Sequence, residues 1–221
     1  MTETAAEWAA ATEQALLDEA LKLAPIHGWT GRMARLAGEA HGLSAAETEL
    51  MIPHGPEDLA ALLSRRHDAR ALAILSNVHP DNLKIRERIR RAVEARLDAS
   101  ASDEPALRRW MGHLALPQNL GLAGRLAWES ADVLWRWAGD AATDENHYSK
   151  RALLSGILSG AMAIRMASGR KVALEFVDRR IENVMAFEQW KATTAFKPGA
   201  WLASAAAALG RTRYGGGDTP S

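Results

Sequence analysis

At 221 residues and 48% hydrophobic, the chain is long enough to bury a full core. It has no cysteine, which excludes disulfides and thiolate metal sites and makes a reducing cytoplasm the expected compartment. Its net charge is zero but unevenly spread: residues 1–60 hold 10 acids against 3 bases, residues 61–100 hold 9 bases against 5 acids, and the remainder carries +3.

Apolar residues recur at helical spacing throughout, and no alternating β-branched run is long enough for a strand, so the expected class is all-α, with about ten helices. Residues 1–11 have no basic start and no apolar stretch of the signal-peptide kind. Thr4-x-x-Glu7 is a capping box that opens a first helix to about residue 24, with Leu16, Leu17, Ala20, Leu21 and Leu23 apolar and Pro25 and Gly28 as its stop. Thr30 caps a second helix that stops at Gly42. Ser44-x-x-Glu47 is another capping box, for a short third helix ended by Pro53. Pro56 suits the first turn of a fourth, running to about residue 76. Further helices are expected over 81–98, 104–115, 119–138, 144–168, 170–192 and 199–210, followed by a flexible Gly-rich tail. The longest apolar run, 152–167, is broken by Ser155, Ser159 and Arg165 and falls short of the roughly 20 residues that span a bilayer.

The stretch Met33-Ala34-Arg35-Leu36-Ala37-Gly38-Glu39-Ala40-His41-Gly42-Leu43-Ser44 has helix-turn-helix spacing. Periodicity alone shows a helical hairpin; its wording resembles the N-terminal domain of TetR-type regulators. That resemblance implies residues 1–55 as a three-helix, helix-turn-helix-like unit ahead of a larger C-terminal helical bundle. A TetR-like transcriptional regulator, binding DNA and a hydrophobic effector, is therefore the alternative function. Electrostatics opposes it, because duplex affinity comes from Lys and Arg neutralising phosphates. The second hairpin helix holds Glu47 and Glu49 and no base, and Glu57 and Asp58 follow. No nucleic-acid partner is expected.

The seven histidines show neither HExxH nor ExxH spacing, so they read as solvent-facing or capping residues, and no metal site or cofactor is expected. No GxSxG, P-loop or Rossmann fingerprint appears, and no catalytic residue is assigned. Asp140 and Asp144 suit capping and salt-bridge roles beside Lys150 and Arg151 better than proton transfer. The helix over 119–138 is apolar on most sides. Leu126, Val133 and Trp137 form one stripe, and Trp128 and Trp135 extend another. It reads either as a central core helix or as a cavity wall whose Trp135 edge meets a partner. In 144–168, Gly156 and Gly160 permit close approach but also leave space beside aliphatic side chains. A void between 104–115, 119–138 and 144–168 would suit an isoprenoid or acyl chain. Its candidate lining is Leu114, Leu126, Val133, Leu154, Ile157, Leu158 and Met162. The apolar faces of the last two bundle helices are adequate for a two-fold dimer. Phe196, Trp201 and Leu202, flanked by bases, suit a helix lying on anionic lipid, or one docked on the bundle.

Three segments carry a stronger resemblance. They are Leu114-Ala115-Leu116-Pro117-Gln118-Asn119, the run from Trp135-Arg136-Trp137-Ala138-Gly139-Asp140 through Thr143-Asp144-Glu145-Asn146-His147-Tyr148-Ser149-Lys150-Arg151, and Phe176-Val177-Asp178-Arg179-Arg180-Ile181-Glu182-Asn183-Val184. They resemble the ninth-protein family of coenzyme Q (ubiquinone) biosynthesis: lipid-binding accessory proteins with a TetR-like fold. The resemblance covers about residues 10–192. It implies a homodimer that binds isoprenoid lipid or quinone precursors in the bundle, presents them to the di-iron quinone hydroxylase, and touches the inner membrane peripherally. It divides the chain into a 1–55 unit, a 56–192 lipid-binding and dimerisation bundle, and 193–221 as amphipathic helix and tail. By the same carry-over, Asp132, Trp135, Arg136, Asp140, Asp144, Tyr148 and Arg151 form the partner surface. Glu145 and His147 stand where the family usually has aromatics.

Overall fold

A computed structural model describes residues 4–140 and 145–193, with side chains over 4–140 and 147–186. Among the described residues the chain is all-helical: α1 Ala5–His27, α2 Gly31–Ala40, α3 Ala45–Met51, α4 Pro56–Ile74, α5 Ile85–Ala99, α6 Glu104–Leu114, α7 Leu120–Trp137, α8 Glu145–Ser168 and α9 Arg170–Thr193. The helix and tail expected beyond residue 198 lie outside them. Packing divides the chain into Met1–Asp178, which holds α1 to α8 and the opening turns of α9, and Arg179–Ser221.

Both capping boxes form: Thr4 and Ser44 each accept from the backbone of the glutamate three residues on, whose carboxylate reaches back. Pro25 does not stop α1. It sits in the last turn, where its missing N–H removes a single hydrogen bond. The helix ends at Gly28 instead, whose φ of 73° lets its N–H close on Ala24 O at 2.9 Å. The fifth helix starts later than its periodicity suggests, because Pro80-Asp81-Asn82 folds into a 3₁₀ turn and Lys84 becomes the N-cap. The α2–α3 hairpin is tight: a Cβ on Gly38 would overlap the Thr48 side chain, so only glycine lets the two helices meet.

The most enclosed helix is α4, which buries consecutive positions from Leu59 to Ser64, then His67, Asp68 and Ala71. Its neighbours add Leu16, Leu17 and Ala20 from α1, Val93 and Leu97 from α5, Leu107 from α6 and Leu134 from α7. The role of central core helix thus belongs to α4. α7 buries only the stripe Leu126, Ser130, Ala131 and Leu134.

Candidate functional site

Helices α4 to α8 leave a pocket of about 280 Å³ inside the first unit. Ala115, Leu120 and Ser159 form an exposed rim, Met111, Ala123 and Ala127 are half-buried, and Trp110, Leu114, Leu126, Leu158 and Met162 are buried. Positions 120, 123, 127 and 130 of α7 recur at helical spacing, so one face of that helix is a pocket wall. The floor is polar. Arg96 from α5 donates Nε to Asp68 Oδ1 at 2.6 Å, the Ser130 hydroxyl donates to Asp68 Oδ2 at 2.9 Å, and Ser64 meets Ser130 at 3.4 Å. Trp110 turns its Nε1–H away, onto Ala60 O at 3.1 Å. The whole is a mostly apolar pocket with a polar floor, as small-molecule sites commonly are.

Of the expected lining, Leu114, Leu126, Leu158 and Met162 face this pocket, while Val133, Leu154 and Ile157 do not. Leu154 is packed in the core. The glycines of α8 do not shape the void either. A Cβ on Gly160 would meet the Phe176 ring at 2.9 Å, and Gly156 looks onto open space. Sequence reading missed Arg96, Asp68, Ser64 and Ser130. The available signal was a lone Arg on the apolar stripe Ile89, Ala92, Val93, Arg96, Leu97, and an Asp at helical spacing from Ala61, Ser64 and Ala71 on the buried face of α4. Two opposite charges on two buried faces can only be paired.

The second constellation joins α7 to α8. Gly139, at φ 87°, turns the chain after α7, and Arg88 donates to Ala138 O at 2.8 Å beneath it. Asp140 then accepts from Lys150 Nζ at 2.7 Å and Arg151 Nη1 at 3.1 Å. Burial alone would raise its carboxyl, but the hydrogen bonds and charges of Lys150 and Arg151 outweigh that and hold it below the usual range. Arg151 is 1% exposed and also donates Nε to Asp132 Oδ1 at 2.6 Å. Trp135 Nε1–H donates to Lys150 O at 3.0 Å, and the Lys150 ammonium lies 5.5 Å from the Trp135 ring centre. The salt-bridge role expected for Asp140 is present; Asp144 lies outside the described residues.

The six described residues of the expected partner surface therefore differ in what they offer. Arg151 and Asp140 are engaged in joining α7 to α8. Arg136, its side chain 72% exposed, and Tyr148, 65% exposed, face outward, with Trp135 and Asp132 half-buried between. The Tyr148 ring stands 6.1 Å from Trp128 and 5.2 Å from His147, edge to face with the latter. Phe196, Trp201 and Leu202 lie outside the described residues. Among those described, no helix is long and apolar enough to cross a membrane, and no group of three metal-ligating side chains stands together.

Comparison with known proteins places this region. The COQ9 family model matches residues 120–188, covering α7, α8 and most of α9. The chain resembles the COQ9 family. The relation drawn from the run ending at Arg151 is borne out. Among relatives, the ubiquinone biosynthesis protein COQ9, mitochondrial, of Rattus norvegicus is 28% identical across 77% of this chain and 57% of its own length. The protein of that name from Bos taurus is 27% identical across 77% and 56%, and that from Homo sapiens 26% across 77% and 56%. The chain thus spans less than three fifths of the length of these COQ9 proteins. Their match extends well upstream of the family model, into the helices that complete the pocket.

Proposed function

We propose that this chain is a lipid-binding accessory protein of ubiquinone biosynthesis, holding isoprenoid quinone precursors and delivering them to a di-iron quinone hydroxylase. One observation carries the reading. The segment that resembles COQ9 supplies two walls of a mostly apolar pocket, α7 and α8, whose few polar side chains at the floor are engaged with one another. The ubiquinone biosynthesis role named for its relatives supplies the pathway. A homodimer fits the exposed apolar side chains Leu153 on α8 and Val172 on α9. Peripheral membrane contact, a TetR-like topology and the division at residues 55 and 192 belong to the same proposal. The docking edge runs along Trp135, Arg136 and Tyr148, where an aromatic anchor sits beside exposed charge.

The test has two readouts. Lipids extracted from the purified protein and identified by mass spectrometry should include prenylated quinones or their precursors; a protein free of any apolar ligand would sink the lipid reading. In cells that depend on this chain, Trp135→Ala with Arg136→Glu should leave the protein folded, as its melting curve checks, and its lipid bound, while the unhydroxylated precursor accumulates. Removing a buried Trp anchor commonly costs about 2 kcal/mol or more of binding. Normal quinone levels with the folded double variant would remove the docking edge.

A further inference from the structure

The floor of the pocket contains an unanswered donor. Arg96 is 3% exposed, lines the pocket and commits Nε to Asp68, yet its Nη1 is buried with no hydrogen-bond partner among the described residues. A buried N–H without an acceptor is costly, and cost of that kind is commonly found where a ligand supplies the missing atom. Asp68 is occupied by Arg96 and Ser130, so it has no spare reason to turn toward the cavity.

Charge narrows what the missing atom can be. The Arg96 guanidinium is already balanced by Asp68 at 2.6 Å, both side chains being buried. A carboxylate or phosphate added here would bring an unpaired negative charge into an apolar enclosure, which is strongly unfavourable. A plain hydrocarbon would leave Nη1 unsatisfied. A neutral oxygen acceptor meets both conditions: a quinone carbonyl, a phenol or a methoxy group.

Size fixes the direction of entry. About 280 Å³ lies just under the roughly 300–1,000 Å³ of sites that enclose a whole drug-sized ligand. There is room for one ring and the start of a chain, not for a long isoprenoid. The buried end holds Ser64, Arg96 and Ser130, whereas the exposed rim is Ala115, Leu120 and a single hydroxyl, Ser159. We infer that the pocket takes a neutral, oxygen-bearing ring head-first, with the Arg96 Nη1–H donating to a ring oxygen and the apolar tail leaving across the rim. This rests on the lipid-binding reading above and deepens it: the ring is sheltered while carried, and reaches an enzyme only on release.

Three ligands matched in ring and tail separate the possibilities: geranyl-1,4-benzoquinone, geranylbenzene and 4-geranylbenzoate, titrated calorimetrically into the full chain at neutral pH. The quinone should bind about tenfold or more tighter than the hydrocarbon, the difference a hydrogen bond to a charged donor makes, and tighter still than the anion. In Arg96→Met with Asp68→Leu, which removes the ion pair without orphaning either partner, the quinone preference should vanish while geranylbenzene still binds. Equal binding of quinone and hydrocarbon to the natural protein, or preference for the benzoate, overturns the head-first assignment and leaves lipid binding standing. Binding of none of the three overturns both. If the double variant fails to fold, the series on the natural protein decides alone.

Discussion

Arg151 illustrates what a single side chain does here. It is the largest fully buried side chain among the described residues, and its guanidinium bridges two carboxylates on the preceding helix and turn, Asp132 and Asp140. Breaking a buried pair from one side leaves charge stranded, which typically costs about 3–5 kcal/mol. Arg151→Met should therefore lower unfolding stability by that order in chemical denaturation. Arg136→Ala, one exposed partner of the same Asp132, should change it by less than about 1 kcal/mol. Similar losses from both variants would contradict the latch. The sequence showed Lys150 and Arg151 following two acids, so that salt bridges form was legible. That the arginine is fully buried while the lysine stays half-exposed beside Trp135 was not, because the order of the charges does not fix how α8 is rotated against α7. The same holds for Arg96 and Asp68, whose partnership spans two helices and has no local spacing to reveal it.

At the scale of elements, caps were the most legible feature. Thr4, Thr30 and Ser44 each accept a backbone N–H as their positions imply, since capping is chemistry within four residues. Pocket walls were half-legible: α7 presents a face, but periodicity cannot tell a cavity wall from a core contact, and the enclosed helix proved to be α4. Gly156 and Gly160 misled because small residues record close approach without saying to what; Gly160 makes room for Phe176. The α2–α3 hairpin raises the sharpest question for an element. Its geometry is helix-turn-helix-like, yet α3 exposes Glu47 and Glu49, with Leu50 81% exposed and no base. Duplex affinity follows phosphate neutralisation, so the hairpin should show no micromolar binding to random or palindromic duplexes at about physiological salt. Binding at that level, falling steeply with added salt, would restore the regulator reading.

For the molecule as a whole, stability should fall on the acid side in two steps whose sign is set by His67 and Asp103. His67, on α4, is fully buried and its Nε2 meets Asp103 Oδ2 at 2.9 Å. Burial pushes the imidazole down to about 4; the Asp103 contact opposes this, while the charges of Arg96 and Arg70 add to it. At neutral pH the ring is therefore uncharged, donating from Nε2. The unfolded histidine titrates near 6.5, so between about 6.5 and 4 the unfolded chain takes a proton that the native one refuses. Stability is complete above that window and declines as pH falls through it, by roughly 3 kcal/mol for a shift of this size. His113, also lowered chiefly by burial, adds in the same direction. Asp103 governs the second step. Burial would raise its carboxyl, but the hydrogen bond from His67 and the Arg70 charge hold it at about 2, so its contribution is lost as pH drops from about 3.8 toward 2. Denaturation midpoints measured from pH 8 to pH 4 should be level at the alkaline end and slope downward below about 6.5. His67→Gln keeps an N–H to offer Asp103 but cannot take up the proton, and it should flatten most of that slope while lowering the plateau. A slope unchanged by this substitution would mean that the acid sensitivity of the fold lies elsewhere than in the buried imidazole of α4.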